Sequence, residues 1–97
     1  MTTDRCRILL VEDDPDMLDL VREHLQHEGH AVVPLGRGAD ASARLRAEEF
    51  DLVLTDLRLP DVDGMEVLRA SRDAQREVPV ILITAFGTIE TAIQAIR

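Results

Sequence analysis

Short apolar runs alternate along this chain with stretches of helical spacing. Ile8-Leu9-Leu10-Val11 is continuous and strand-length, and Leu52-Val53-Leu54 and Val80-Ile81-Leu82-Ile83 have the same character. The segment around Ala31 to Leu35 supplies another strand, second in chain order. After the first strand, Asp14-Pro15 reads as an N-cap and first helical residue, and Met17, Leu18, Val21 and Leu25 recur at helical spacing. Gly29 fits the position just past that helix. Gly36-Arg37-Gly38 leads into a weaker helix containing Ala41 and Leu45. Pro60-Asp61-Val62-Asp63-Gly64 forms a loop before a short helix with Met65 and Leu68, and polar Ser71 to Glu77 reads as a long connecting loop. Ile89, Ala92, Ile93 and Ile96 mark one face of a helix beginning near Thr88. The order is (βα)₄. Unbroken apolar strands separated by helices predict an α/β fold, a parallel sheet covered on both faces with right-handed crossovers.

Composition narrows the class. Ninety-seven residues suit one domain, and no repeat, low-complexity tract or linker divides them. No segment approaches membrane-span length, and the apolar run at Ile8 comes too early and is too brief for a signal peptide, so the cytoplasm is the expected location. Cys6 is the single cysteine, which excludes an internal disulfide and suggests packing. Eleven basic residues against nineteen acidic ones give a net charge of −8, unsuited to direct contact with a nucleic-acid backbone. All the basic residues are arginine, so a P-loop is excluded for want of its lysine. Phe50 and Phe86 are the two aromatics, too few for a base-stacking platform.

In an open parallel sheet, sites form outside the carboxyl ends of the strands. The first strand delivers Glu12 and Asp13 to that rim, the third delivers Asp56, and the fourth delivers Thr84. Two carboxylates about 4 Å apart repel by roughly 4 kcal/mol at an effective dielectric near 20. Either one keeps a proton or a cation neutralises the group. Hard oxygen donors without clustered histidine or thiolate favour Mg²⁺. A carboxylate beside that ion can act as nucleophile and form an acyl phosphate, with Thr84 donating a hydrogen bond to the phosphoryl group.

Three segments, Ile8 to Asp14, Leu52 to Gly64 and Pro79 to Ala85, resemble the motifs of the receiver domains of bacterial two-component response regulators. The resemblance runs from about Arg7 to the end and implies a flavodoxin-like doubly wound sheet. It implies that Asp56 is the phosphoacceptor, Asp13 a direct Mg²⁺ ligand, Glu12 a ligand directly or through water, and the Arg58 backbone carbonyl a further ligand. Thr84 would be the switch hydroxyl. A sensor histidine kinase would be the phosphoryl donor, and a C-terminal output domain would receive the signal. Phe86 to Ala92 is similar to the corresponding stretch of sigma-54-dependent transcription activators. The family also has a fifth strand and helix, carrying a lysine and an aromatic switch residue. Their absence here leads to the expectation that residues 1–97 are a receiver domain truncated within helix 4. The bare edge of strand 4, or helix 4, would then support a homodimer or swapped dimer.

Other readings compete for some residues. Asp14 suits a helix cap better than a third ligand, and Asp61 and Asp63 suit a turn and helix entry. His24, His27 and His30 gather around a helix end, where cationic groups suit the dipole. Gly36-Arg37-Gly38-Ala39-Asp40-Ala41 fits a dinucleotide fingerprint, with Gly36, Gly38 and Ala41 at its key positions and Asp56 twenty residues beyond Gly36. That reading follows the second strand instead of the first, and leaves Glu12, Asp13 and Thr84 without a task. A third alternative is a docking module that works without phosphorylation.

Overall fold

The computed structural model describes residues 5–75 and 77–83. Within them, β1 (Arg7–Val11) is an inner strand of the sheet. It pairs in parallel with β2 (Ala31–Leu35) on one side and β3 (Leu52–Asp56) on the other. Outside β3 lies β4 (Val80–Ile83), also parallel, so the order is β2-β1-β3-β4. Three helices follow the first three strands: α1 (Pro15–His27), α2 (Ala41–Ala47, preceded by a 3₁₀ turn at Gly38–Asp40) and α3 (Gly64–Ala74).

Burial on both faces explains why β1 is apolar without alternation. Leu9 and Val11 join Val53, Val80 and Leu82 beneath Ala41, Leu45, Val67 and Leu68 of α2 and α3. Ile8 and Leu10 face the other way, with Leu54, toward Leu18, Val21 and Leu25 of α1. Burying each such side chain contributes about 1.5–3 kcal/mol, which makes this strand a rigid support for the acidic residues at its carboxyl end. Cys6 packs against the second cluster, as its apolar setting suggested.

Helix ends follow the sequence signals. The Asp14 side chain accepts from the N–H groups of Asp16 and Met17. At the other end of α1, Gly29 adopts φ +96°, while Gly29 N–H donates to Gln26 O and His30 N–H to Leu25 O. That pair of bonds is a Schellman ending, which requires the left-handed residue glycine supplies.

One expectation fails. Ser71 to Glu77 is not a long loop, because α3 continues to Ala74. Polar composition concealed this, since the inward face at that turn is carried by small Ser71, which is fully buried. Gln75 then uses its side chain as a bracket, accepting from Phe50 N–H and donating to Leu45 O and Glu48 O. Thr84, Phe86 and the helix expected near Thr88 lie outside the described residues.

The Ser71 hydroxyl has no hydrogen-bond partner among the described residues. A buried hydroxyl without a partner carries a desolvation cost, and alanine is the better helix former. Ser71→Ala should therefore raise the unfolding free energy by roughly 1 kcal/mol, read from urea or thermal unfolding.

Candidate functional site

The carboxyl ends of β1 and β3 are adjacent, yet their connections leave in opposite directions, one toward β2 and the other toward β4. This is the topological switch point, where an open parallel sheet leaves a crevice. Glu12 follows β1 and is fixed by its own N–H, which donates to Leu35 O at 3.0 Å. Asp13 is the next residue, and its N–H donates to Glu12 Oε2 at 3.0 Å. Asp56 ends β3, with Oδ1 accepting from Arg58 N–H at 3.0 Å. One carboxylate oxygen from each of Glu12, Asp13 and Asp56 lies within 4.8 Å of the other two. The sequence reading placed these three at one rim, and the structure brings them together. Asp14 is turned away to cap α1.

This proximity changes the protonation of one member. The Glu12 carboxyl is pushed up from 4.5 to about 7, first by burial, then by its hydrogen bond to Asp56 and the Asp56 charge. The Asp13 N–H opposes the shift, and the Asp13 charge adds a smaller push in the same direction. Near neutrality a proton on Glu12 thus relieves part of the repulsion, and a cation could replace it. The donors are all carboxylate oxygens, a set suited to a hard divalent ion such as Mg²⁺.

Two features of the loop after Asp56, at Gly64 and Asp61, lay beyond the sequence reading, and a third, at Asp63, agrees with it. Gly64 opens α3 directly against the site strand, where a Cβ would sit 2.5 Å from Asp56 O and 2.8 Å from Leu57 Cα. Both atoms are backbone and cannot step aside, so glycine is required for close approach. Asp63 caps α3 through Met65 N–H at 2.9 Å, as a helix-entry residue should. Asp61 does more than shape a turn: its carboxylate accepts from the Gly38 and Ala39 N–H groups. The Ala39 bond, followed by the Gly38 bond, holds its carboxyl below the usual carboxylate range. A proline-aspartate turn is visible in sequence, but a partner 22 or 23 residues away is not.

The remaining candidates fall elsewhere. His24 and His27 sit in the last turn of α1, while His30 Nδ1 accepts from Cys6 N–H. Among the described residues, no histidine belongs to a group of metal-capable side chains. In the glycine-rich turn, the amides of Gly38 and Ala39 that a pyrophosphate would need are held by Asp61. Gly38 itself is packed so closely that a Cβ would lie 2.3 Å from Val62 Cγ2.

Residues 8–97 match the family model described as the response regulator receiver domain. The chain is 41% identical over 88 residues to the transcriptional regulatory protein GlrR of Escherichia coli K12, covering 91% of this chain and 20% of GlrR. It therefore spans about a fifth of that relative's length. A CheY-like receiver domain protein from Methanospirillum hungatei superposes with TM-score 0.84 at 29% identity, over 96% of this chain and 77% of that one. The response regulator TrrA of Thermotoga maritima, solved with Mg²⁺ and BeF, gives TM-score 0.82 at 31% identity, over 92% and 79% of the two chains.

The raised Glu12 carboxyl makes the metal-free fold bind more protons than the unfolded chain between about pH 4.5 and 7. Its contribution to stability is present in full below that window and is lost as pH rises through it. Thermal unfolding of the metal-free chain should show this decline, and Glu12→Gln should flatten it. Gly64→Ala should destabilise by at least about 1 kcal/mol and shift the Asp56 amide resonance, because backbone must move.

Proposed function

The chain belongs to the response regulator receiver domain family, and on that premise we propose that it is a phosphoryl-accepting signalling switch with Asp56 as the residue phosphorylated. The observation that carries this reading is the meeting of Asp56 with Glu12 and Asp13 within 4.8 Å at the switch point of the sheet. Purely phosphorylation-independent docking would leave that costly cluster without a purpose.

Glu12, Asp13, Asp56 and the backbone carbonyl of Arg58 are the proposed protein ligands of Mg²⁺. When bound, Mg²⁺ supplies positive charge against the carboxylates and the incoming phosphoryl oxygens. The protein's own part is positioning. Arg58 N–H fixes the rotation of the Asp56 carboxyl through Oδ1 before a donor arrives. An Asp56 carboxylate oxygen attacks phosphorus in line, forming the O–P bond of an acyl phosphate. The N–P bond of a sensor kinase phosphohistidine breaks, and its imidazole leaves with the electron pair. Water attack on the same acyl phosphate would reset the switch. Receiver domains are signalling switches and not conventional enzymes, so this self-dephosphorylation is the extent of the proposed hydrolytic activity.

Thr84 keeps the proposed role of switch hydroxyl, biasing the helix near Thr88 between two arrangements. In the parent protein this change would reach a C-terminal output domain. Transcriptional control is the output favoured by the GlrR similarity, and the stretch Phe86 to Ala92 favours the sigma-54-dependent type. Met17 and Leu20 of α1 are 43% and 63% exposed, and α1 begins right behind Asp13 and Asp14, which suits them to a partner's apolar surface. No described helix is long and apolar enough to cross a membrane, which is compatible with a cytoplasmic location.

In the full-length parent protein, Asp56→Asn should abolish incorporation of labelled phosphate from the kinase, and chelation of Mg²⁺ should do the same to the unsubstituted protein. Persistent labelling of Asp56→Asn would refute the assignment. Because the Glu12 proton must leave for the cluster to act as a full ligand set, apparent Mg²⁺ affinity should rise between pH 6 and pH 8, by up to roughly tenfold. Calorimetric titration across that range checks it.

A further inference from the structure

Asp61 takes no part in the chemistry above, yet it ties the middle of the loop to a separate element. Its carboxylate receives two consecutive backbone N–H groups, Gly38 at 3.1 Å and Ala39 at 2.8 Å. These belong to the 3₁₀ turn between β2 and α2, an element separate from β3 and α3. Apolar contact reinforces the clasp: a Cβ on Gly38 would meet Val62 Cγ2 at 2.3 Å and Leu59 Cδ1 at 2.8 Å, so that side of the loop lies flush against the turn.

At its start the loop is tied to β4, where Leu57 N–H donates to Ile83 O at 2.9 Å, and the attachments around Arg58 are local. Arg58 N–H holds Asp56 Oδ1, Arg58 and Asp63 form an isolated antiparallel bridge, and Gly64 N–H donates to Leu57 O. These bonds fasten the loop at its two ends, to β3, β4 and the start of α3. A loop fastened solely at its own ends can still pivot about them. A third attachment, on a different element, removes that freedom. Asp61 supplies it three residues after Arg58.

We infer that Asp61 is a positioning residue for the cation site: by clasping the Gly38 and Ala39 amides it fixes the loop that presents Arg58, and so sets how tightly the Glu12–Asp13–Asp56 cluster holds a divalent ion. The inference rests on the reading of that cluster as a Mg²⁺ site. It also makes the turn at the start of α2 a mechanical neighbour of the site, joined to it through Asp61 and the packing of Leu59 and Val62.

The test is calorimetric Mg²⁺ titration of the 97-residue chain, paired with hydrogen exchange of the Arg58 amide in the metal-free protein and with melting temperature. Asp61→Ala should weaken Mg²⁺ binding on the order of tenfold and speed Arg58 exchange. Asp61→Asn, which keeps one acceptor oxygen, should fall between. Gly38→Ala approaches the same clasp from the other side and should weaken binding likewise, while Val62→Ala added to it should restore affinity by returning the space. Those last two variants carry the test if Asp61→Ala does not fold. A lower melting temperature in Asp61→Ala with Mg²⁺ affinity and Arg58 exchange unchanged would overturn the inference and leave Asp61 a purely structural clasp. Failure of the unsubstituted chain to bind Mg²⁺ would instead remove the cation-site reading, and this inference with it.

Discussion

Mutual repulsion among Glu12, Asp13 and Asp56 is the constraint to which the rest of the structure answers. Like charges about 4 Å apart oppose each other by roughly 4 kcal/mol at an effective dielectric near 20, and three such groups compound the problem. Left on flexible segments, these side chains would separate. Here the backbone does not let them. Glu12 and Asp13 continue a strand buried on both faces, and Asp56 ends the strand hydrogen-bonded beside it. Hydrophobic burial in β1 and β3 therefore supplies the force that holds the acids together, and Glu12 responds by keeping its proton to higher pH. The raised Glu12 carboxyl records that response.

A rigid strand end is insufficient by itself, because the loop leaving Asp56 also borders the site. Its path is set by backbone contacts that tolerate little change. Gly64 lets α3 begin in contact with the Asp56 carbonyl, Asp63 caps that helix, and Arg58 N–H orients the Asp56 carboxyl. The sequence Asp56 to Gly64 thus combines two requirements, a carboxylate of the acidic cluster at one end and a tight helix start at the other. Short carboxylates at the two ends satisfy both, since Asp56 and Asp63 each accept from a backbone N–H two residues on.

How much of this was legible in the sequence depended on the range of the interaction. Strands were legible because burial on both faces leaves continuous apolar runs, and Asp14-Pro15 and Gly29 were legible because caps act within one turn. The convergence of Glu12, Asp13 and Asp56 could be read because strand ends in a parallel sheet share an edge. The end of α3 could not. Its inward face there is a serine, and the surrounding Arg72 and Asp73 are indistinguishable from loop residues in composition. Gly64 looked like part of a turn, although the reason for glycine lies in a strand backbone eight positions earlier. Asp61 was opaque for the same reason at greater distance. Its partners are amides, which carry no sequence signature at all.

Asp61 also resolves the competition between two motifs that both looked plausible as strings. A dinucleotide site at Gly36 to Ala41 would offer backbone amides to a pyrophosphate, with glycine admitting the ligand closely. The structure has such amides, but the anion they hold is a carboxylate from the same chain. Gly38 does admit a close neighbour, and that neighbour is Val62. The features of an anion-binding turn are therefore genuine and already satisfied internally. A fingerprint identifies a backbone able to receive negative charge; it does not identify the owner of the charge. Here the owner is the loop beside the acidic cluster, so the residues that suggested a cofactor belong to the architecture of the site at the β1–β3 switch point.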